Sequence, residues 1–162
     1  MQALDLQIRV HGWALVQVRD DHDGTVWSYT VGLAEHFGHP ELTMIDVDLE
    51  HQAHVITSLA DGIAASGQLP ANVVHADGLQ LVEVHPDHVQ SDLFGTWANL
   101  SGSYPEPGMM LQVVLPDESF CECHAGAGRR LDQGGPLPPN PFPQPRPNRA
   151  ERRRRNRRGD AA

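Results

Sequence analysis

Trp13-Ala14-Leu15-Val16-Gln17-Val18, Asp20-Asp21-His22-Asp23-Gly24 and Thr25-Val26-Trp27-Ser28-Tyr29-Thr30-Val31-Gly32-Leu33 together decide how the rest of the chain is read. The first run is apolar and rich in β-branched residues. The acidic middle ends in Asp-Gly, which supplies the positive φ of a tight turn. In the third run Trp27, Tyr29, Val31 and Leu33 alternate with Val26, Ser28, Thr30 and Gly32, placing one set on each face of a strand. The pattern predicts a β-hairpin, and with it a sheet that mixes sequential strands.

Outward from the hairpin, Leu4, Ile8 and His11 share a helical face in residues 1–11, and Gly12 stops that helix. Ala34 to Pro40 reads as a loop, because His36-Phe37-Gly38-His39-Pro40 cannot continue a strand. Glu41 to Val47 is a third strand. Asp48 then caps a helix with Leu49, Ala53, Ile56, Ala60 and Ile63 inward, and Gly67 ends it. Leu79 to Val84 is a further strand, with Val73-Val74 its candidate partner across Asp77-Gly78. Pro86 opens a second helix with Val89, Leu93, Trp97 and Leu100 inward. Met109 to Leu115 is the last strand. The order α-β-β-β-α-β-α-β has no Gly-rich phosphate turn. It predicts an α+β domain with an antiparallel-rich sheet of about five strands. Two to three helices are expected mainly on one face, followed by a disordered C-terminal tail.

Charge divides the 162 residues unevenly. Residues 1–128 hold two basic residues, Arg9 and Arg19, and 18 acids, so 2 − 18 = −16. Residues 129–162 hold ten Arg and three acids, so 10 − 3 = +7; lysine is absent throughout. The composition therefore divides the chain into a globular domain over 1–125, a Gly/Pro-rich linker over 126–147 and an Arg-rich tail over 148–162. The acidic domain is a poor surface for nucleic acid. No apolar run is long enough to span a membrane, no secretory signal opens the chain, and two Cys make no disulfide scaffold. These features point to a cytoplasmic protein.

Four short motifs occur in order: Gly12-Trp13, Tyr29-Thr30-Val31-Gly32-Leu33, His39-Pro40-Glu41-Leu42 and Gln112-Val113-Val114-Leu115-Pro116-Asp117. Over roughly residues 8–118 the chain thereby resembles the bacterial family of domains of unknown function numbered 4262. Where that family continues with an aromatic Phe-Pro-Trp-like step, Ser119-Phe120-Cys121-Glu122-Cys123 stands here. The resemblance implies no activity, cofactor or catalytic residue.

Ten histidines include three His-x-x-His pairs, His36/His39, His51/His54 and His85/His88. One reading makes His36, His39 and Glu41, with a second pair, the centre of a metal-dependent enzyme. The plainer reading is surface and capping histidines, and neither a metal site nor a cofactor is assigned. Asp20 to Gly24 is oxygen-dense but lacks a calcium-loop register, so it reads as a solvated turn. Cys121-Glu122-Cys123-His124 lacks the further ligands a structural zinc needs. A polar loop fixed by two strands is where a ligand would sit, which makes Tyr29, Thr30, His36, His39 and Glu41 the candidate binding residues. Arg149, Arg152, Arg153, Arg154, Arg155, Arg157 and Arg158 are candidates for a polyanion such as nucleic acid, or for the chain's own acidic domain. The leading expectation is a binding or interaction module.

Overall fold

The computed structural model describes residues 2–70, 78–116 and 129–139. Its elements are α1 (Gln2–His11), β1 (Ala14–Arg19), β2 (Val26–Val31), α2 (Leu33–Phe37), β3 (Glu41–Ile45), α3 (Leu49–Ser66), β4 (Gln80–Glu83), α4 (Pro86–Val89), a 3-10 turn (Asp92–Phe94), α5 (Gly95–Ser101) and β5 (Met110–Val114). The strands form one five-stranded sheet in the order β1-β2-β3-β5-β4. β3 and β5 are parallel; every other neighbouring pair is antiparallel. An α+β domain with an antiparallel-rich sheet is what the sequence pattern predicts.

The hairpin pairs Ala14 with Val31 through to Arg19 with Val26. Its turn closes by Asp20 N–H donating to Thr25 O at 2.7 Å, with Gly24 at φ 74°. β2 is buried along its whole length because both faces of the sheet are covered. On one face α3 lays Ile56, Leu59, Ala60 and Ile63 against Leu42, Met44, Val113 and Trp13. Each such side chain, fully removed from water, contributes about 1.5–3 kcal/mol. On the other face Trp27, Tyr29, Val31, Ile45 and Met110 lie beneath Val89, Phe94, Trp97 and Leu131, with Leu4 and Ile8 of α1 at the margin. The longest helix thus has one face to itself, and shorter pieces share the second.

α3 is capped as its sequence predicts. Asp48 accepts from Glu50 N–H and His51 N–H, and Gly67 closes the other end at φ 71°. Two segments differ from expectation. Residues 33–37 are a short helix rather than loop, because Glu41 reaches back to accept from the backbone at its start. The helix opened by Pro86 is broken into α4, a 3-10 turn and α5, because Ser91 caps a new turn through Leu93 N–H and Gly95 begins a third piece. The proposed strand at Val73-Val74 lies outside the described residues.

Residues 129–139 belong to the stretch that composition assigns to the linker, and they lie on the domain as a strap. Leu131 is buried in the second core and Leu137 packs beside it. Gln112 of β5 pairs with this strap as a neighbouring strand would. Its Nε2 donates to Arg129 O and its Oε1 accepts from Leu131 N–H, both at 2.7 Å. Leu131 O in turn accepts from His85 N–H at 2.7 Å. Proline-rich chain can do this because it presents carbonyls and apolar rings without needing a ladder of N–H partners. Among the described residues no helix is long and apolar enough to cross a membrane.

Candidate functional site

Of the five residues expected to form a binding loop, Thr30 and Glu41 meet. Glu41 opens β3 and is fully buried. Its Oε2 accepts from the Thr30 hydroxyl at 2.6 Å, and its Oε1 accepts from Gly32 N–H at 2.9 Å and Ala34 N–H at 3.1 Å. Leu42 N–H donates to Thr30 Oγ1, which leaves the hydroxyl proton for Glu41. Burial pushes the Glu41 carboxyl above its ordinary value, against the opposing pull of these donors. Gly32 sits at φ 110°, and a Cβ there would lie 2.5 Å from Gly12 O, so only glycine fits this approach.

The other three residues do not join that pair. Tyr29 packs into the second core instead, edge-on to Phe94 with ring centroids 5.2 Å apart. Among the described residues its hydroxyl has no hydrogen bond of good geometry, and burial raises its pKa. His36 is exposed, with Nδ1 3.2 Å from Gly32 O; His39 Nδ1 is 2.7 Å from Pro40 O. A cavity of about 490 Å³ opens beside the cradle, floored by Val31, Trp97 and Met109, and neither Glu41 nor either histidine lines it.

The His-x-x-His pairs serve separate purposes. His85 caps α4 by accepting from Asp87 N–H, and His88 is buried with Nε2 2.8 Å from Gln133 O. His54 is exposed on α3. Among the described residues, no group of three or more His, Cys, Asp or Glu is placed to hold a metal ion. Cys121, Cys123 and the arginines from Arg149 onward lie outside the described residues.

A different place gathers charge. A cleft of about 540 Å³ lies between the hairpin turn, α4 with its 3-10 turn, and the strap. Four carboxylates line it: Asp20 and Asp23 from the turn, Asp87 from α4 and Asp92 from the 3-10 turn. Trp27 and the strap prolines add apolar surface. Arg129 also borders the cleft, but its guanidinium is already committed. Nε and Nη2 donate to the two oxygens of Asp46 at 2.7 and 2.8 Å, Nη2 also to Thr25 Oγ1, and Nη1 to Pro138 O. Burial works against the Asp23 charge, yet Thr25 hydrogen bonds and the nearby Arg129 charge together hold its pKa below the ordinary value. His88 is nine-tenths buried and lines the same cleft. Gln133 O can only accept, so His88 Nε2 donates to it.

A family model described as Domain of unknown function (DUF4262) matches residues 7–120. The chain belongs to this family. The DUF4262 match contains the hairpin, the Glu41 cradle and all four cleft carboxylates, and it ends before the strap begins. Arg129 on Asp46 therefore ties an addition to the DUF4262 domain itself. No curated protein and no solved structure matches the chain.

Sequence reasoning treated Asp20 to Gly24 as a solvated turn, weighed Asp87 only as a carboxylate for a histidine metal site, and passed over Asp92. Their convergence depends on the strap lying across the second face, which no local pattern announces. The one available signal was the oxygen density of the turn beside a chain that gathers its arginines at the other end.

Proposed function

We propose that the protein is a cytoplasmic binding module whose acidic cleft takes a guanidinium-bearing ligand. One observation carries this reading: among the described residues, four aspartates from three separate segments line one cleft while the one arginine bordering it is neutralised by Asp46. Guanidinium donors suit such a site, since each carboxylate offers several acceptor positions and Arg pairs with it bidentately. Trp27, which also lines the cleft, offers an aromatic surface for a cation. The ligand is thus a basic segment rather than a metal or an anion.

The test uses the full chain with Arg146, Arg149, Arg152, Arg153, Arg154, Arg155, Arg157 and Arg158 each changed to Gln, so that its own cations do not compete. This tail-neutral chain is titrated with a labelled hexa-arginine peptide and with hexa-glutamate. Saturable binding of the arginine peptide alone, weakening steeply between about 50 and 300 mM salt, is expected. Equal response to both peptides would overturn the reading.

A further inference from the structure

The strap over residues 129–139 meets the domain through anchors rather than a ladder. Among the described residues, its backbone shares one hydrogen bond with the domain backbone, from His85 N–H to Leu131 O. Side chains supply the main grip. Asp46 takes the Arg129 guanidinium and backbone N–H, and Thr25 Oγ1 accepts from the same guanidinium at 2.6 Å. Gln112 clasps the strap backbone on either side of Arg130, and Leu131 sinks into the second core. Thr25 and Gln112 are buried, and the Asp46 side chain has no exposed surface. Among the described residues, every hydrogen bond of the Asp46 carboxylate and of the Gln112 amide goes to the strap. Buried polar groups need partners, so these side chains form a socket shaped for a peptide. The socket lies wholly within the 7–120 family match, and the strap lies beyond it. The five-stranded sheet is complete before the strap begins.

We infer that this socket is a peptide-recognition site for an extended Arg-x-Leu segment of a partner protein, and that the strap is its resident ligand in cis. The ligand class follows from the contacts. Asp46 reads a forked cation, to which Arg offers two parallel donors and Lys a single point charge. Gln112 reads extended backbone at the middle residue, whatever its side chain. The core position reads a leucine-sized apolar group. Main-chain contacts thus give grip and the two anchors give specificity, as in other modes of extended-peptide recognition. A partner's segment competes with the strap for the same contacts. The tether gives the strap the advantage, so the socket is closed until a partner displaces it. The anchors Asp46, Thr25 and Gln112 are distinct from the four cleft aspartates, so failure of the guanidinium cleft leaves this site untouched.

The experiment uses the full chain carrying Arg129→Gln and Leu131→Asp, which removes both anchors and keeps the socket. A labelled peptide of residues 129–139 is titrated against this opened chain and against wild type. The opened chain is expected to bind it saturably and about tenfold or more tightly than wild type, whose own strap competes. The same two changes in the peptide are expected to weaken binding by about tenfold or more. A folded opened chain that ignores the peptide, or binds both peptides equally, overturns the inference. Native-state hydrogen exchange on wild type keeps the test independent of how the opened chain folds. Arg129 and Leu131 N–H are expected to exchange by local opening, with protection about tenfold or more below that of the β2 amides. Protection equal to that of β2 would mean the strap leaves only when the whole domain unfolds, and overturns the inference.

Discussion

Arg129 holds Asp46 by both carboxylate oxygens, and its own backbone N–H adds a third bond to Oδ2 at 3.0 Å. Both side chains are nearly or fully buried. Asp46 pays for this position with a left-handed backbone, φ 68°, which Asp tolerates better than most residues. The pair fastens the strap to the β3 end of the sheet.

Breaking it from one side leaves a buried charge without its partner. Arg129→Met is expected to destabilise the protein by about 3–5 kcal/mol. Asp46→Asn alone should also be costly, and the double variant should cost clearly less than the sum. Urea denaturation of the four proteins measures this coupling; additive losses would mean the pair acts only through packing.

A second stability prediction concerns Gly32. Any Cβ there meets Gly12 O at 2.5 Å, and the φ of 110° is itself strained for other residues. Gly32→Ala is expected to cost about 2–4 kcal/mol, seen as a large drop in the urea midpoint. Gly38→Ala is the control: its Cβ would meet nothing within 4 Å, so it carries only the conformational cost of φ 65°.

Glu41 gives a pH signature with a defined sign. Its folded pKa lies above the ordinary 4.5, so the folded state binds more protons than the unfolded state just above that value. Its contribution therefore falls as pH rises from 4.5 through the raised pKa. Asp23 and Asp132 behave oppositely: their folded pKa values lie below 3.8, and their contribution is lost as pH falls through those lowered values. Above 4.5, Glu41 alone of these three carboxyls changes its contribution. Wild type should lose stability relative to Glu41→Gln as pH rises from about 4.5 to 7.5. Parallel profiles for the two proteins would show that Glu41 does not titrate in that window.

Tyr29 is expected to be dispensable as a polar group. Its buried hydroxyl has no hydrogen-bond partner among the described residues, while its ring packs on Phe94. Tyr29→Phe keeps the ring and removes the unsatisfied oxygen. Thermal denaturation should show a Tm that is unchanged or raised, by no more than about 1–2 kcal/mol in stability. A marked loss would mean the hydroxyl has a role that its surroundings do not explain.

Much of this fold was legible from period and punctuation. The alternation Trp27, Tyr29, Val31 and the Asp-Gly turn specify the hairpin, and Asp48 with Gly67 bounds α3, because these signals are local. What stayed hidden depends on contacts distant in sequence. The helix at residues 33–37 forms because Glu41 supplies acceptors from the next strand. The strap is held by Gln112 and Asp46, far from the prolines that suggested a free linker. The candidate site was half visible: Thr30 and Glu41 do meet, as a buried cradle that shapes the backbone. The acidic cleft appears only once three segments are brought together.

The central claim is that the four aspartates form a guanidinium site, and substitution of two of them tests it most directly. Asp20→Asn and Asp92→Asn keep shape, and Asn at position 20 retains an acceptor for His22 N–H. In the tail-neutral chain this pair of changes is expected to weaken hexa-arginine binding by about tenfold or more, with a shallower salt dependence and an unchanged urea midpoint. Unaltered affinity in a stably folded double variant would contradict the account.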